Sequence, residues 1–286
     1  MTTVTGTDGS TPSIAGTILT ESRICVQPGF QAKEWTVLSC CGTGSGEVYK
    51  VRNQRTEETG AMKIECVKRI DESCLFKESK IYRALIKHSL GAKHVAEMLA
   101  FEQNEGNMNT QFLIMGFLGP NIKELREKCG GKFELSTVLR IGIQTLCGIK
   151  MIHDVGYVHR HLRPSCFMLG NPDIPEKSRI IYVTDFQIAR RFLKRSKNNM
   201  GIYREEREPG SVRMHGYIRY ASVSVHNGNE HRCRDDIWSW IYILAELLDK
   251  LPWQNVKTDP TRVHALKMIT PDSQIFASTK SKDPKG

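Results

Sequence analysis

Two short β-forming runs, 34–39 and 47–52, flank Gly42-Thr43-Gly44-Ser45-Gly46, and this order constrains the fold more than any other feature of the chain. Trp35, Val37, Val48 and Val51 are residues that favour pleated backbone, so the pattern predicts a hairpin with a glycine-rich tip. A glycine-rich loop alone is a weak signal. Dinucleotide-binding folds use one too, and Glu65, nearly twenty residues on, could imitate their ribose-binding acid. That fold needs an amphipathic helix directly after the glycines, whereas here the chain runs strand, turn, strand.

A third run, 61–67, follows the turn Glu57-Glu58-Thr59-Gly60, and two more lie at 97–102 and 111–115. Five strands in the first third predict a mostly antiparallel sheet. Between the third and fourth, residues 71–86 place Leu75, Tyr82 and Leu85 along one face of a helix. Glu78 shares that face. A carboxylate in an apolar stripe is costly unless paired, and Lys63 is its natural partner; the competing reading has Glu78 reaching to solvent.

From residue 136 the period is helical, with Val138, Leu139, Ile141, Leu146, Ile149 and Ile152 in step, Ser136 as N-cap and Gly156 as stop. Residues 180–184 read as a short strand ending at Asp185. Residues 237–248 are apolar on every side and belong at the centre of a unit. Strands first and helices afterwards give an α+β fold. The last convincing helix is 261–269, before Pro271 and a polar tail; an apolar patch left exposed around 237–248 would either bind a partner or lower stability.

The composition, 40% hydrophobic and 25% charged, is that of a globular protein. Seven threonines in the first twenty residues, without a basic or apolar run, predict a disordered tail through residue 33 and no signal peptide. No run is expected to approach the length of a membrane span. Nine cysteines without a CxxC pair predict free, mostly buried thiols and a cytoplasmic or nuclear setting, with Cys40-Cys41 a strand end. A net charge of +10 favours acidic partners such as phosphopeptides or acidic tails, and excludes neither nucleic acid nor any other polyanion. Arg190, Arg191, Lys194, Arg195 and Lys197 concentrate it within eight residues, as a solvated loop or an anion site.

Beyond these patterns, His159-Arg160-His161-Leu162-Arg163-Pro164-Ser165-Cys166 lies ahead of Asp185-Phe186 by the spacing of a protein kinase catalytic loop, with Lys63 and Glu78 at matching upstream positions. The chain resembles the casein kinase 1 superfamily of two-lobed protein kinases, nearest its tau-tubulin kinase branch, over about residues 34–270. The motifs are Glu78-Ser79-Lys80-Ile81-Tyr82, Leu118-Gly119-Pro120, Arg219-Tyr220-Ala221-Ser222 and Asp235-Asp236-Ile237-Trp238-Ser239. The resemblance implies an N-lobe at 34–115, a shortened C-lobe at 116–270 and a polar tail at 271–286.

It also implies site residues. Gly42, Gly44, Gly46, Val48 and Ala61 would cover ATP, Lys63 would hold its phosphates with Glu78 as partner, and Asp185 would bind magnesium. Met115 would be the gatekeeper, with Gly116 and Leu118 on the adenine edge. Asp236 would tie down the catalytic-loop backbone. Arg219, Lys257, Arg190 and Arg191 would receive a phosphorylated or acidic protein segment.

Departures from the family matter as much. The proton-accepting aspartate is His161, the loop lysine is Arg163, the magnesium-binding asparagine is Cys166, and Gln187 follows Asp185-Phe186 in place of glycine. Counted back from Gly46, the first two family glycines fall on Cys41 and Thr43. Imidazole beside a polyphosphate would become cationic and lose its basicity, and a thiol is a soft ligand for a hard ion. The expectation is therefore a catalytically impaired kinase domain, a monomer or bound to a partner through its C-lobe, with no membrane or specific nucleic-acid role. Its rivals are a working Ser/Thr kinase and a general polyanion-binding scaffold; a zinc site of His153, His159, His161 and Cys166 lacks a second cysteine.

Overall fold

The computed structural model describes residues 17–20, 23–42, 47–67, 69, 72–88, 93–104, 109–195, 201–256 and 259–276. The chain divides into two compact units, Met1–Arg83 with Glu97–Phe117, and Ala84–Ala96 with Leu118–Gly286.

In the first unit, β1 (Thr17–Thr20) and β2 (Arg23–Val26) pair as an antiparallel ladder. Then come β3 (Gln31–Ala32), β4 (Trp35–Gly42), β5 (Val48–Asn53), β6 (Thr59–Val67), α1 (Cys74–His88), β7 (Met98–Asn104) and β8 (Asn109–Gly116). Their sheet has the order β3-β4-β5-β6-β8-β7, antiparallel throughout. Two register shifts in the β4–β5 ladder add local twist before Gly42. All five expected strands form. The expected tail through residue 33 is corrected: β1 to β3 lie in it, and Val26, Phe30 and Ala32 are buried with Trp35, Val37, Tyr49, Val51, Met62, Phe112 and Ile114 in one apolar core. Apolar residues too few to pattern on their own are held there by the sheet they pack against.

Glu65 has a structural task. From β6 its carboxylate accepts the N–H groups of Cys74 (3.2 Å) and Leu75 (2.9 Å), satisfying orphan donors of the first turn of α1. This fixes the helix against the sheet and so sets the position of Glu78.

The second unit comprises β9 (Leu118–Asn121), α2 (Ile122–Lys128), α3 (Leu135–Asp154), β10 (Tyr157–Val158), a 3-10 turn (Pro164–Cys166), β11 (Phe167–Gly170), β12 (Ile181–Val183), β13 (Arg190–Arg191), β14 (Leu193–Arg195), β15 (Gly201–Tyr203), α4 (Val223–His226), α5 (Cys233–Leu248), α6 (Pro260–Ile269) and α7 (Asp272–Ile275). Helix α7 lies in the segment read as a polar tail. The cap of α3 is Glu134, not Ser136, which falls inside the helix; the Glu134 carbonyl accepts from Thr137 and Val138. At the other end Gly156 turns the chain at φ +86°, as a helix stop requires.

Helix α3 packs on α5 and β12. A Cβ on Gly142 would lie 3.1 Å from Leu244 Cδ1, and one on Gly148 only 2.4 Å from Val183 Cγ2, so the absence of side chains permits both approaches. Trp240 Nε1 donates to Thr145 Oγ1 at 2.9 Å across the helix pair.

Four expectations change here. By length and composition α3 is long and apolar enough to cross a membrane, although Val138, Ile141, Thr145, Ile149 and Ile152 face the interior of the fold. Helix α3 exposes Leu135, Leu139, Ile143 and Leu146, and α6 exposes Met268 and Ile269, whereas α5 exposes Trp238 but buries Tyr242, Ile243, Ala245 and Leu247. Nor are residues 237–248 apolar all round, since Glu246 is buried among them. Among the described cysteines all are free, but only Cys166 is buried; Cys40, Cys41, Cys129 and Cys147 are exposed.

Candidate active site

In the first unit the cost of burying Glu78 is met as the sequence suggests. Lys63 Nζ lies 2.9 and 3.1 Å from the two carboxylate oxygens, with Glu78 fully buried. Lys63 stands opposite Val48 on β5 and Leu113 on β8, while Ala61 pairs with Met115 and Gly60 with Gly116. Val48, Ala61, Lys63, Met115 and Gly116 therefore share neighbouring positions of three strands. The Gly116 N–H donates to Glu97 O at 2.9 Å. Leu118 opens β9 in the second unit, and Gly42 ends β4 in the open; Gly44, Gly46, Lys197 and Lys257 lie outside the described residues.

In the second unit the loop is organised by one carboxylate. Asp236, on α5 and fully buried, accepts the backbone N–H of His159 (2.7 Å) and of Arg160 (2.9 Å), and the ring nitrogens of His153 (2.8 Å) and His231 (3.2 Å). His159 in turn donates from Nε2 to Thr184 O at 3.0 Å, joining the loop to the residue before Asp185. Arg160 and Asp185 both have positive φ, 67° and 73°, conformations that cost non-glycine residues energy and persist where the surroundings impose them.

Asp236 gives the fold a pH signature. Burial opposes charge on His153, but the hydrogen bond to Asp236 overrides it and raises the imidazole to about 9. A folded value above the unfolded one stabilises fully below pH ~6.5 and is lost as pH rises through about 9. The difference in stability between wild type and His153→Gln should shrink by a few kcal/mol over that window, measured by denaturant titration at each pH. Taking the difference removes other groups, such as Lys267, which burial lowers to about 7.

The chemical positions are altered in state as well as in identity. His161 is held neutral by burial and by Arg163, its pKa lowered to about 4. In the ligand-free fold the ring is a poor base because it is weak. Burial, then Asp185, pushes the Cys166 thiol up to about 12, and its Sγ donates to His161 O at 3.3 Å. Arg163 Nη2 donates to Asp185 Oδ2 at 3.3 Å. A protonated thiol turned to a carbonyl, and one carboxylate engaged by a guanidinium, do not make the oxygen cage that magnesium takes. The donor set does not fit that ion. His153, His159 and Cys166 are likewise engaged elsewhere, and no cluster suited to a metal occurs among the described residues.

The implied anion residues separate. Arg219 Nη1 donates to buried Glu246 at 2.8 Å, beside Arg126 at 3.5 Å and the hydroxyl of Tyr220, so it belongs to an internal network. Arg191 Nε donates to Leu193 O. Arg190 and Arg207 converge on Glu230 at 3.0 and 2.7 Å, with Arg160 close enough to contribute to the same field. Burial would raise the Glu230 carboxyl, but Arg207 and Arg190 hold it below the usual range. The sequence reading missed Arg207 and Glu230, which lie outside the basic run. It missed Glu246 too, although a carboxylate in an apolar helix is the signal that singled out Glu78.

A lysine paired with a helix glutamate, a loop tethered by a buried aspartate and an aspartate after a short strand are shared parts of protein kinases. The protein kinase domain family matches residues 35–285, so the chain belongs to it, and its α+β architecture is the two-lobed kinase fold. A Dictyostelium discoideum protein named a probable serine/threonine-protein kinase is 33% identical over 243 residues, 83% of this chain and 46% of that one. A Caenorhabditis elegans protein named in similar terms is 33% identical over 251 residues, 86% of this chain and 68% of that one. The chain thus spans about half the length of the first and about two thirds of the second.

Proposed function

We propose that this chain is a catalytically impaired protein kinase domain of the casein kinase 1 type, tau-tubulin kinase-like, that binds nucleotide and an acidic or phosphorylated protein segment. The catalytic loop carries the reading: a weak imidazole stands where the family has its base, and a protonated thiol where it has a metal ligand. Loss of a general base costs ~10²–10⁴ in rate. Nucleotide binding is supported by Lys63, which Glu78 orients as the family's phosphate-binding lysine is. Binding of an acidic segment is supported by Arg160, Arg190 and Arg207, a cationic group shared by one carboxylate, rather than by Arg219. Arg219-Tyr220-Ala221-Ser222 supports the casein kinase 1 superfamily assignment.

Phosphate transfer to a phospho-primed acidic peptide tests the reading. Wild type is expected to turn over on the order of 10⁻² s⁻¹ or less, against ~1–100 s⁻¹ for the family. His161→Asp with Cys166→Asn should raise the rate roughly 10²-fold, and Lys63→Met should abolish it. A wild-type rate within the family range that Lys63→Met removes would instead make this a working Ser/Thr kinase. Equal loss of phosphopeptide and of an unrelated polyanion in Arg190→Ala/Arg207→Ala, with steep salt dependence, would favour a general polyanion scaffold.

A further inference from the structure

Asp185 already has a cation. It follows β12 with a positive φ of 73°, and Arg163 Nη2 reaches its carboxylate at 3.3 Å from the catalytic loop. Both side chains are mostly buried, at 23% and 11% exposure, so the pair is poorly screened by solvent. The position of Arg163 is itself fixed. It opens the 3-10 turn Pro164–Cys166, its carbonyl accepts the Cys166 N–H at 2.9 Å, and its guanidinium lies 5.9 Å from the ring centre of Tyr217.

A guanidinium keeps its charge at any physiological pH and presents several donors in one plane. A divalent ion at Asp185 would have to displace it or share the carboxylate with it at close range, and like charges at such distance in a buried site repel strongly. Position 166 offers no compensating oxygen, because the thiol is turned to His161 O.

We propose that Arg163 is the resident cation at Asp185, so that this chain binds nucleotide phosphate without a divalent metal ion. The inference rests on the nucleotide-binding reading for its ligand, but its statement about Arg163 stands on the second unit alone. Arg163 would neutralise Asp185 and turn its remaining N–H groups to a phosphate oxygen, which removes the repulsion between that carboxylate and an anionic ligand.

Two measurements on the full chain test it. Manganese binding, followed by the loss of the free-ion paramagnetic resonance signal, should be absent in wild type and appear in Arg163→Gln/Cys166→Asn. ATP affinity from thermal shift should change less than about twofold between EDTA and excess magnesium, where a site requiring the ion would lose on the order of 10²-fold. Stoichiometric manganese uptake by wild type that Asp185→Asn abolishes would overturn the inference, whether or not the double variant folds. So would an ATP shift present only with magnesium. Absence of any ATP shift in either buffer would sink the nucleotide reading instead, while the manganese result still decides the role of Arg163.

Discussion

Asp236→Ala is expected to lower the stability of the second unit by about 3–5 kcal/mol, the usual cost of removing one partner from a buried charged cluster. Four donors converge on this fully buried carboxylate: two backbone N–H groups, of His159 and Arg160, and two imidazoles, of His153 and His231. Alanine leaves the backbone donors without acceptors and the raised His153 without its counter-charge, and each unsatisfied buried group carries its own desolvation penalty. The effect reaches the site because Arg160 is held in its left-handed conformation by Asp236 at its N–H and by Ile188 O, 2.7 Å from its Nε. Loss of the first hold should let residues 159–163 relax, so anion binding at Arg160 falls with stability. Asp236→Asn, which keeps one acceptor, should lose less. Unfolding midpoints in urea at unchanged slope measure the loss; a change under about 1 kcal/mol would mean that the loop holds its shape without this anchor.

What the sequence disclosed depended on whether a residue's partner lay in a pattern that could be read. The five strands and α1 have local periodicity, and Glu78 advertised itself as a charge on an apolar face, so its pairing with Lys63 was legible. Asp236 could be placed only through the resemblance, since its partners stand 77 and 76 residues away at His159 and Arg160. The order of residues 26–32 is not legible because composition averages over residues, while Val26, Phe30 and Ala32 are ordered by tertiary packing on β4 to β8. Ser136 is a good capping residue two positions too late; Glu134, whose side chain makes no capping bond, ends the preceding extended segment instead. The neutral state of His161 in the ligand-free fold has no local signal in the sequence. It depends on burial and on Arg163, and neither the depth of a loop residue nor the direction of a long side chain is written in local sequence.

Glu246→Ala should be comparably damaging, at about 3–5 kcal/mol, although it sits in a helix that reads as wholly apolar. Its carboxylate is buried on α5 and takes Arg219 at 2.8 Å, Arg126 from α2 at 3.5 Å, and the hydroxyl of Tyr220, which burial and then Glu246 keep protonated as a donor. Alanine strands two guanidinium groups and a phenol around a cavity. Glu246→Gln keeps the shape and one acceptor and should lose less. The informative construction is the double variant Arg219→Met/Glu246→Met, in which the charge pair gives way to apolar volume. Its loss should be smaller than the sum of the single losses by about 1–3 kcal/mol, since residues sharing one network do not act additively. The same cycle decides what Arg219 is for. If its principal partner is Glu246, Arg219→Met will move the unfolding midpoint strongly and phosphopeptide affinity little once the protein is folded. If instead affinity falls while stability holds and the two sites add independently, Arg219 faces the ligand, and the anion surface extends beyond Arg160, Arg190 and Arg207 to include it.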